Sequence, residues 1–209
     1  MSKIIATNED NMLMMARYPD DYFDLAIVDP PYGINVNENM GLKKGQKKRH
    51  EKKAYWDSKI PIDDYFIKLK RVSKNQIIWG GNYFPKIWEN GCSHFIFWDK
   101  NTPIGMSFSD GELAWTSFNK ANRKYTYTNP KKIGKIHPTQ KPVKLYEWIL
   151  MNYAKKGDKI LDTHRGSASL DIACHNLGFD LVTCELDTDY FNDGNKRLKQ
   201  HQNQQVMKF

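Results

Sequence analysis

Cysteine is scarce in this chain of 209 residues, with three in all: Cys92, Cys174 and Cys184. An odd number without paired spacing excludes a disulfide framework and offers no zinc-ligand pattern, so these read as reduced, buried thiols and no metal is expected. Long apolar runs are lacking as well, and Ser2-Lys3-Ile4-Ile5 followed by acids does not have the shape of a signal peptide. A cytoplasmic location is the expectation. No Pro/Gly/Ser-rich linker and no repeat period interrupts the sequence, which makes one compact domain over residues 1–209 the default. A complete dinucleotide glycine fingerprint is missing, which argues against NAD. Acids are in deficit, with 24 Asp and Glu against 32 Lys and Arg, and the net charge of +8 favours a polyanionic partner, nucleic acid first.

What is present centres on Asp29-Pro30-Pro31-Tyr32. The run from Phe23 to Val28 before it is short, largely apolar and reads as a buried strand; two successive prolines have no amide hydrogens with which to continue a ladder. The strand therefore ends on an acid, at the edge where ligands collect in open α/β sheets. An amine attached to a nucleobase is a poor nucleophile because its lone pair is delocalised into the ring. The Asp29 carboxylate and the Pro30 carbonyl can each accept one amine hydrogen and draw the nitrogen toward tetrahedral geometry, while Tyr32 stacks on the base. An ordinary strand-to-loop turn has the same composition. Methylation of a base carbon usually employs a cysteine nucleophile, commonly in a Pro-Cys dipeptide, and no cysteine here follows a proline.

Along the chain, Lys3 to Thr7 reads as a strand and Met12 to Met15 as part of a helix, with Glu9 its expected cap and Asp10 free to contact a ligand. Gly33 to Lys53 is polar and then strongly basic; Lys43, Lys44, Lys47, Lys48, Arg49, Lys52 and Lys53 are candidates for phosphate contact in a mobile loop. Ile62 to Val72 has weak helical spacing. Gln76 to Trp79, His94 to Trp98 and Glu112 to Phe118 read as strands, and Gly80-Gly81-Asn82 as a turn. Asn119 to Lys135 interleaves Arg123 and Lys124 with Tyr125 and Tyr127, which suits extruded or single-stranded nucleic acid, although an exposed hairpin would look alike.

His137-Pro138-Thr139-Gln140-Lys141-Pro142 then leads into a helix from Val143 to Tyr153, with Thr139 or Gln140 to cap it and Pro142 in its first turn. Thr139 and Lys141 add a hydroxyl and a charge at a helix start, where a carboxylate can be anchored. Lys159 to Asp162 is a strand, the small-residue loop Thr163 to Ser169 follows, and a helix carrying Leu170, Cys174 and Leu177 ends at Gly178. Phe179 to Cys184 is the next strand and finishes at Glu185, near the spacing at which an acid meets ribose hydroxyls in nucleotide-binding folds. An adenosine-bearing cofactor fits this βαβ unit.

With the tetrad first, the His137 to Pro142 segment next, and the glycine loop and acid last, the chain resembles the beta class of S-adenosylmethionine-dependent amino methyltransferases of DNA. The match spans most of the sequence. The resemblance implies an α/β fold with a doubly wound, mostly parallel, Rossmann-like sheet in permuted motif order. It also implies roles: Asp29, Pro30, Pro31 and Tyr32 at the target amine; Asp162, Gly166 and Ser167 against the methionine part of the cofactor; Thr139 and Lys141, in the His137 segment, on its carboxylate; Glu185 on ribose and Asp10 near adenine. The first Asp of the tetrad is typical of the adenine-N6 enzymes; cytosine-N4 methylation and a DNA-binding subunit without turnover are the alternatives. His164 and Ala168 stand where the family usually has Phe and Gly, and His164 and Arg165 are expected at a solvent-facing rim. No long target-recognition insertion precedes His137, so a short, relaxed target is expected. Family analogy makes a homodimer plausible, and Gln204 to Phe209 looks like the peptides that dock on sliding clamps.

Overall fold

The short apolar runs become strands of one sheet in the computed structural model, which describes residues 2–36, 55–103, 109–128 and 136–204. Eight strands lie among the described residues: β1 (Ile4–Asn8), β2 (Phe23–Val28), β3 (Ser73–Trp79), β4 (Phe95–Asp99), β5 (Gly111–Thr116), β6 (Arg123–Thr126), β7 (Lys159–Asp162) and β8 (Asp180–Glu185). Their order is β1-β8-β7-β2-β3-β5-β4-β6. Within it only β5 runs against its neighbours β3 and β4; the remaining pairs are parallel. Five helices lie among the described residues: α1 (Asn11–Ala16), α2 (Asp63–Val72), α3 (Val143–Tyr153), α4 (Ser169–Leu177) and α5 (Thr188–Gln202). None is long and apolar enough to cross a membrane.

A parallel strand buried on both faces needs apolar side chains in both directions, and β2 supplies them. Leu25 and Ile27 point to a core shared with Leu145, Ile149 and Leu150 of α3 and Leu170 and Ala173 of α4. Ala26 and Val28 point to the opposite core, with Met14 and Met15 of α1 and Phe66, Leu69 and Val72 of α2. Helices on both sides make the sheet doubly wound. From β2 the chain proceeds to β3 on one side, whereas from β7 it proceeds to β8 on the other, so β2 and β7, in register at Leu25 and Ile160, flank the point where winding reverses. A crevice opens outside the carboxyl ends of strands at such a point.

Several local expectations are corrected. Asp10, not Glu9, caps α1: its carboxylate accepts the amides of Met12 and Leu13 at 2.8 and 3.2 Å, while Glu9 pairs with Arg17. Neither Thr139 nor Gln140 caps α3; the extended Pro142 occupies the cap position and makes no side-chain cap bond. The Arg123 to Thr126 stretch is strand β6, an edge partner of β4, and α5 packs where no element was expected. The basic run from Lys43 to Lys53 and residues 205–209 of the tail lie outside the described residues.

Candidate functional site

A cavity of about 700 Å³ occupies the crevice. Its walls come from the residues following β1, β2, β7 and β8, from the segments leading into α2 and α3, and from Tyr65 and Tyr146 on those helices. Asp10, Asp29, Pro31, His137, Thr139, Lys141, Gly166, Ser167 and Glu185 all line it, so residues far apart in sequence share one space. Pro30, between Asp29 and Pro31 in the chain, is buried. Asp162 is also buried, at 5% exposure, and accepts the His164 amide at 2.9 Å; burial pushes its carboxyl well above the usual range.

The loop that follows β2 is shaped by Asp57, in a single 3-10 turn (Tyr55–Asp57). The buried Asp57 carboxylate accepts the backbone amides of Tyr32, Gly33 and Val36 at 2.8, 3.1 and 2.9 Å, gathering donors that Pro30 and Pro31 leave without a ladder. This fold-back brings the Tyr32 ring onto the backbone of Gly80, where a Cβ atom would overlap the ring, and parallel to Tyr83 at 5.0 Å between centroids. The Gly80-Gly81 turn thus serves close approach by the chain's own aromatic ring. Tyr32 donates its hydroxyl to Asp29 Oδ1 at 2.6 Å.

Lys141 accounts for the other Asp29 oxygen. Its ammonium, almost wholly buried, lies 2.5 Å from Asp29 Oδ2 and 2.9 Å from Glu112 Oε2, and donates to the Tyr32 hydroxyl at 3.2 Å. The structure therefore gives this charge to the tetrad acid and not to the mouth of the cofactor crevice. Burial raises Asp29, Lys141 lowers it and Glu112 raises it further, leaving it above the usual carboxylate range. Burial works against the charge of Lys141 too, but the two carboxylates hold it above its ordinary value. For Glu112, burial is outweighed by Lys141 and Lys100, which bring it down to about 2. From the sequence Glu112 reads only as the first residue of a strand and not as a site residue, because nothing in Asp110-Gly111-Glu112-Leu113 marks an acid that meets Asp29 only across the sheet.

On the β7 side, the Glu185 carboxylate accepts the Gly166 amide at 2.8 Å and the Asp187 amide at 3.0 Å, tying the glycine loop to the turn before α5. Burial raises its carboxyl. Arg197 of α5 donates to the Ser167 carbonyl at 2.6 Å and to Ser169 Oγ at 2.9 Å, a second clasp on the same loop. Arg165 is not at a solvent rim: it is buried and paired with Asp171 at 2.9 Å. His164 accepts from Asn11 Nδ2 at 3.1 Å, meets Thr163 Oγ1 at 2.9 Å and presents its ring edge-on to Tyr65. Ala168 adopts φ 58°, the left-handed region in which glycine is at ease. Trp56 and Tyr190 flank His137 at 5.1 and 4.4 Å between centroids, an aromatic rim the sequence reading did not single out.

Of the described nucleic-acid candidates, Lys124 pairs with Asp99 at 2.8 Å and Arg123 is exposed. The Tyr125 ring stacks on Trp148 of α3 at 4.8 Å and on Tyr127 at 6.1 Å, so its faces are engaged within the protein.

A family of DNA methylases matches residues 43–196. The Type II methyltransferase M2.DpnII of Streptococcus pneumoniae is 25% identical over 244 residues, covering 95% of this chain and 90% of the relative. M2.LlaDCHI of Lactococcus lactis subsp. cremoris is 24% identical, over 93% of this chain and 88% of its own. The crystal structure of the M1.HpyAVI–SAM complex superposes with a TM-score of 0.65 at 23% identity, covering 93% of this chain and 98% of that one. The cytosine-N4-specific PvuII DNA methyltransferase superposes with a TM-score of 0.66 at 11% identity, covering 97% and 92%. At these identities the structural likenesses establish a shared fold.

Proposed function

The chain belongs to the DNA methylase family, and on that premise we propose that it transfers a methyl group from S-adenosylmethionine to the N6 amine of an adenine extruded from DNA. The observation that carries the reading is Asp29, a carboxylate at the carboxyl end of β2 on the wall of a 700 Å³ cavity at the winding reversal. The donor set suits the cofactor. Glu185 and Asp10 offer acceptors to ribose hydroxyls and the adenine end, Gly166 and Ser167 form a wall with little side-chain bulk, and Thr139 offers a hydroxyl to the amino-acid carboxylate. Asp162, buried beneath the loop, acts on that end by fixing the His164 backbone.

When bound, the cofactor supplies an electrophilic methyl group and departs as a neutral thioether. The chain's own residues do the rest. Asp29 and the Pro30 carbonyl accept the two amine hydrogens, turning the nitrogen lone pair out of the ring and toward the methyl carbon. As the nitrogen–carbon bond forms, the nitrogen becomes positive, and the proton it sheds passes to Asp29. Tyr32 and the aromatic residues near it supply stacking that offsets the cost of extrusion, about a few kcal/mol. The first Asp of the tetrad supports adenine over cytosine as the target. Phosphate contact by Lys43, Lys44, Lys47, Lys48, Arg49, Lys52, Lys53, Arg123 and Lys124, a cytoplasmic location, a homodimer and clamp docking through residues 204–209 are further proposals drawn from the sequence and the resemblance.

Nucleosides from unmethylated DNA incubated with the protein and S-adenosylmethionine, separated by mass spectrometry, test the reading. N6-methyladenine is expected with the wild type and not with Asp29→Ala. N4-methylcytosine would retain the mechanism and replace the substrate; neither product on duplex or single-stranded DNA would overturn the reading.

A further inference from the structure

Base entry poses a problem that the site as it stands has not solved. Both oxygens of Asp29 are engaged, Oδ1 by the Tyr32 hydroxyl at 2.6 Å and Oδ2 by Lys141 at 2.5 Å. An incoming amine needs one of them. Lys141 is a buried cation and cannot leave without stranding charge, whereas a hydroxyl can rotate to another acceptor. That acceptor is in place: Glu112 Oε2 lies 3.4 Å from the Tyr32 hydroxyl and 2.9 Å from Lys141 Nζ.

Glu112 is also held where this matters. Its other oxygen, Oε1, is pinned by Lys100 at 2.7 Å, which leaves Oε2 facing the tetrad. The residue sits at the start of β5, in register with Trp98, and Gly111 before it packs so tightly that a Cβ atom there would overlap the Phe97 ring and the Trp98 carbonyl. Because β5 is antiparallel to β3, its first residues lie at the edge where β2 and β3 end. Two carboxylates and two ammonium groups balance across Asp29, Glu112, Lys141 and Lys100.

We infer that Glu112 is a positioning residue for methyl transfer: it anchors Lys141 against Asp29 and receives the Tyr32 hydroxyl when the target amine takes its place on Asp29. The inference rests on the methyltransferase reading. Steady-state methyl transfer to unmethylated DNA and cofactor binding by calorimetry test it in the full chain, with wild type and Asp29→Ala alongside. Glu112→Gln is expected to lower kcat by about 10- to 100-fold while cofactor Kd stays within about twofold. In a Lys141→Met background the same change should add less than about threefold, because the two residues act as a unit. Wild-type kcat in Glu112→Gln, a loss lying in cofactor Kd, or losses that multiply with Lys141→Met each overturn it. Should thermal melting show Glu112→Gln unfolded, Lys100→Met at its partly exposed position carries the test; a kcat loss of about 3- to 10-fold is required and wild-type kcat overturns the inference. No transfer by the wild type would instead overturn the methyltransferase reading and this inference with it.

Discussion

Burial pushes the His164 imidazole from an ordinary 6.5 down to about 3, so the folded chain keeps it neutral where the unfolded chain protonates it. Between those values the unfolded state binds more protons, and stability falls as pH drops from about 6.5 toward 3. His164→Phe removes this contribution while retaining a ring to meet Tyr65 at the present 5.3 Å. The gap between urea midpoints at pH 7 and pH 4.5 is expected to be smaller in the variant than in the wild type; an equal gap would refute the assignment. The neighbouring departures from the family pattern have local physics as well. Ala168 bears a left-handed conformation at a cost of about 1–2 kcal/mol. Its buried methyl faces Gly194 of α5, whose missing side chain leaves it room. Arg165 looked like rim in sequence because its partner, Asp171, sits on α4, and only the helix geometry shows the two carried together into the interior.

At the scale of elements, the turn after β3 decides whether the tetrad tyrosine can be seated. Gly80 has φ 68°, and any Cβ there would overlap the Tyr32 ring. Gly80→Ala is expected to cost about 1–2 kcal/mol of stability from the backbone alone and to displace Tyr32. Methyl transfer should fall at least about tenfold in kcat while cofactor Kd, set on the β7 and β8 side, changes little; a loss confined to cofactor binding would disprove this division of labour. The β2 and β7 strands and the α4 helix were legible because each is a buried apolar run closed by a specific stop: two prolines, an acid before a small-residue loop, and Gly178 in a left-handed cap. β6 was not, since an exposed edge strand carries no hydrophobic alternation and owes its existence to β4. The caps of α1 and α3 were misassigned for a related reason: several polar residues before each helix satisfy the same composition rule, whereas backbone geometry selects Asp10 for α1 and puts Pro142, which has no capping side chain, at the start of α3.

For the whole molecule, the net charge of +8 predicts DNA binding that weakens steeply with salt. Replacing Lys43, Lys44, Lys47 and Lys48 with Gln should flatten the slope of log affinity against log salt, by about 0.9 for each phosphate that is no longer neutralised. Binding isotherms from about 50 to roughly 200 mM salt read this directly, and an unchanged slope would move the phosphate-binding surface away from that run. The chain by itself determined the chemistry on offer: a carboxylate and two prolines ending a buried strand, a βαβ unit with a small-residue loop and a terminal acid, and an excess of positive charge are all local in sequence. Only the tertiary structure decided which charges meet. Lys141 is 112 residues from Asp29 and Glu112 is 80 from Tyr32. Strand order and the reversed direction of β5 bring them to one edge of the sheet, where the buried Lys141 ammonium depends on Glu112, a carboxylate that no local pattern could have named, as well as on Asp29.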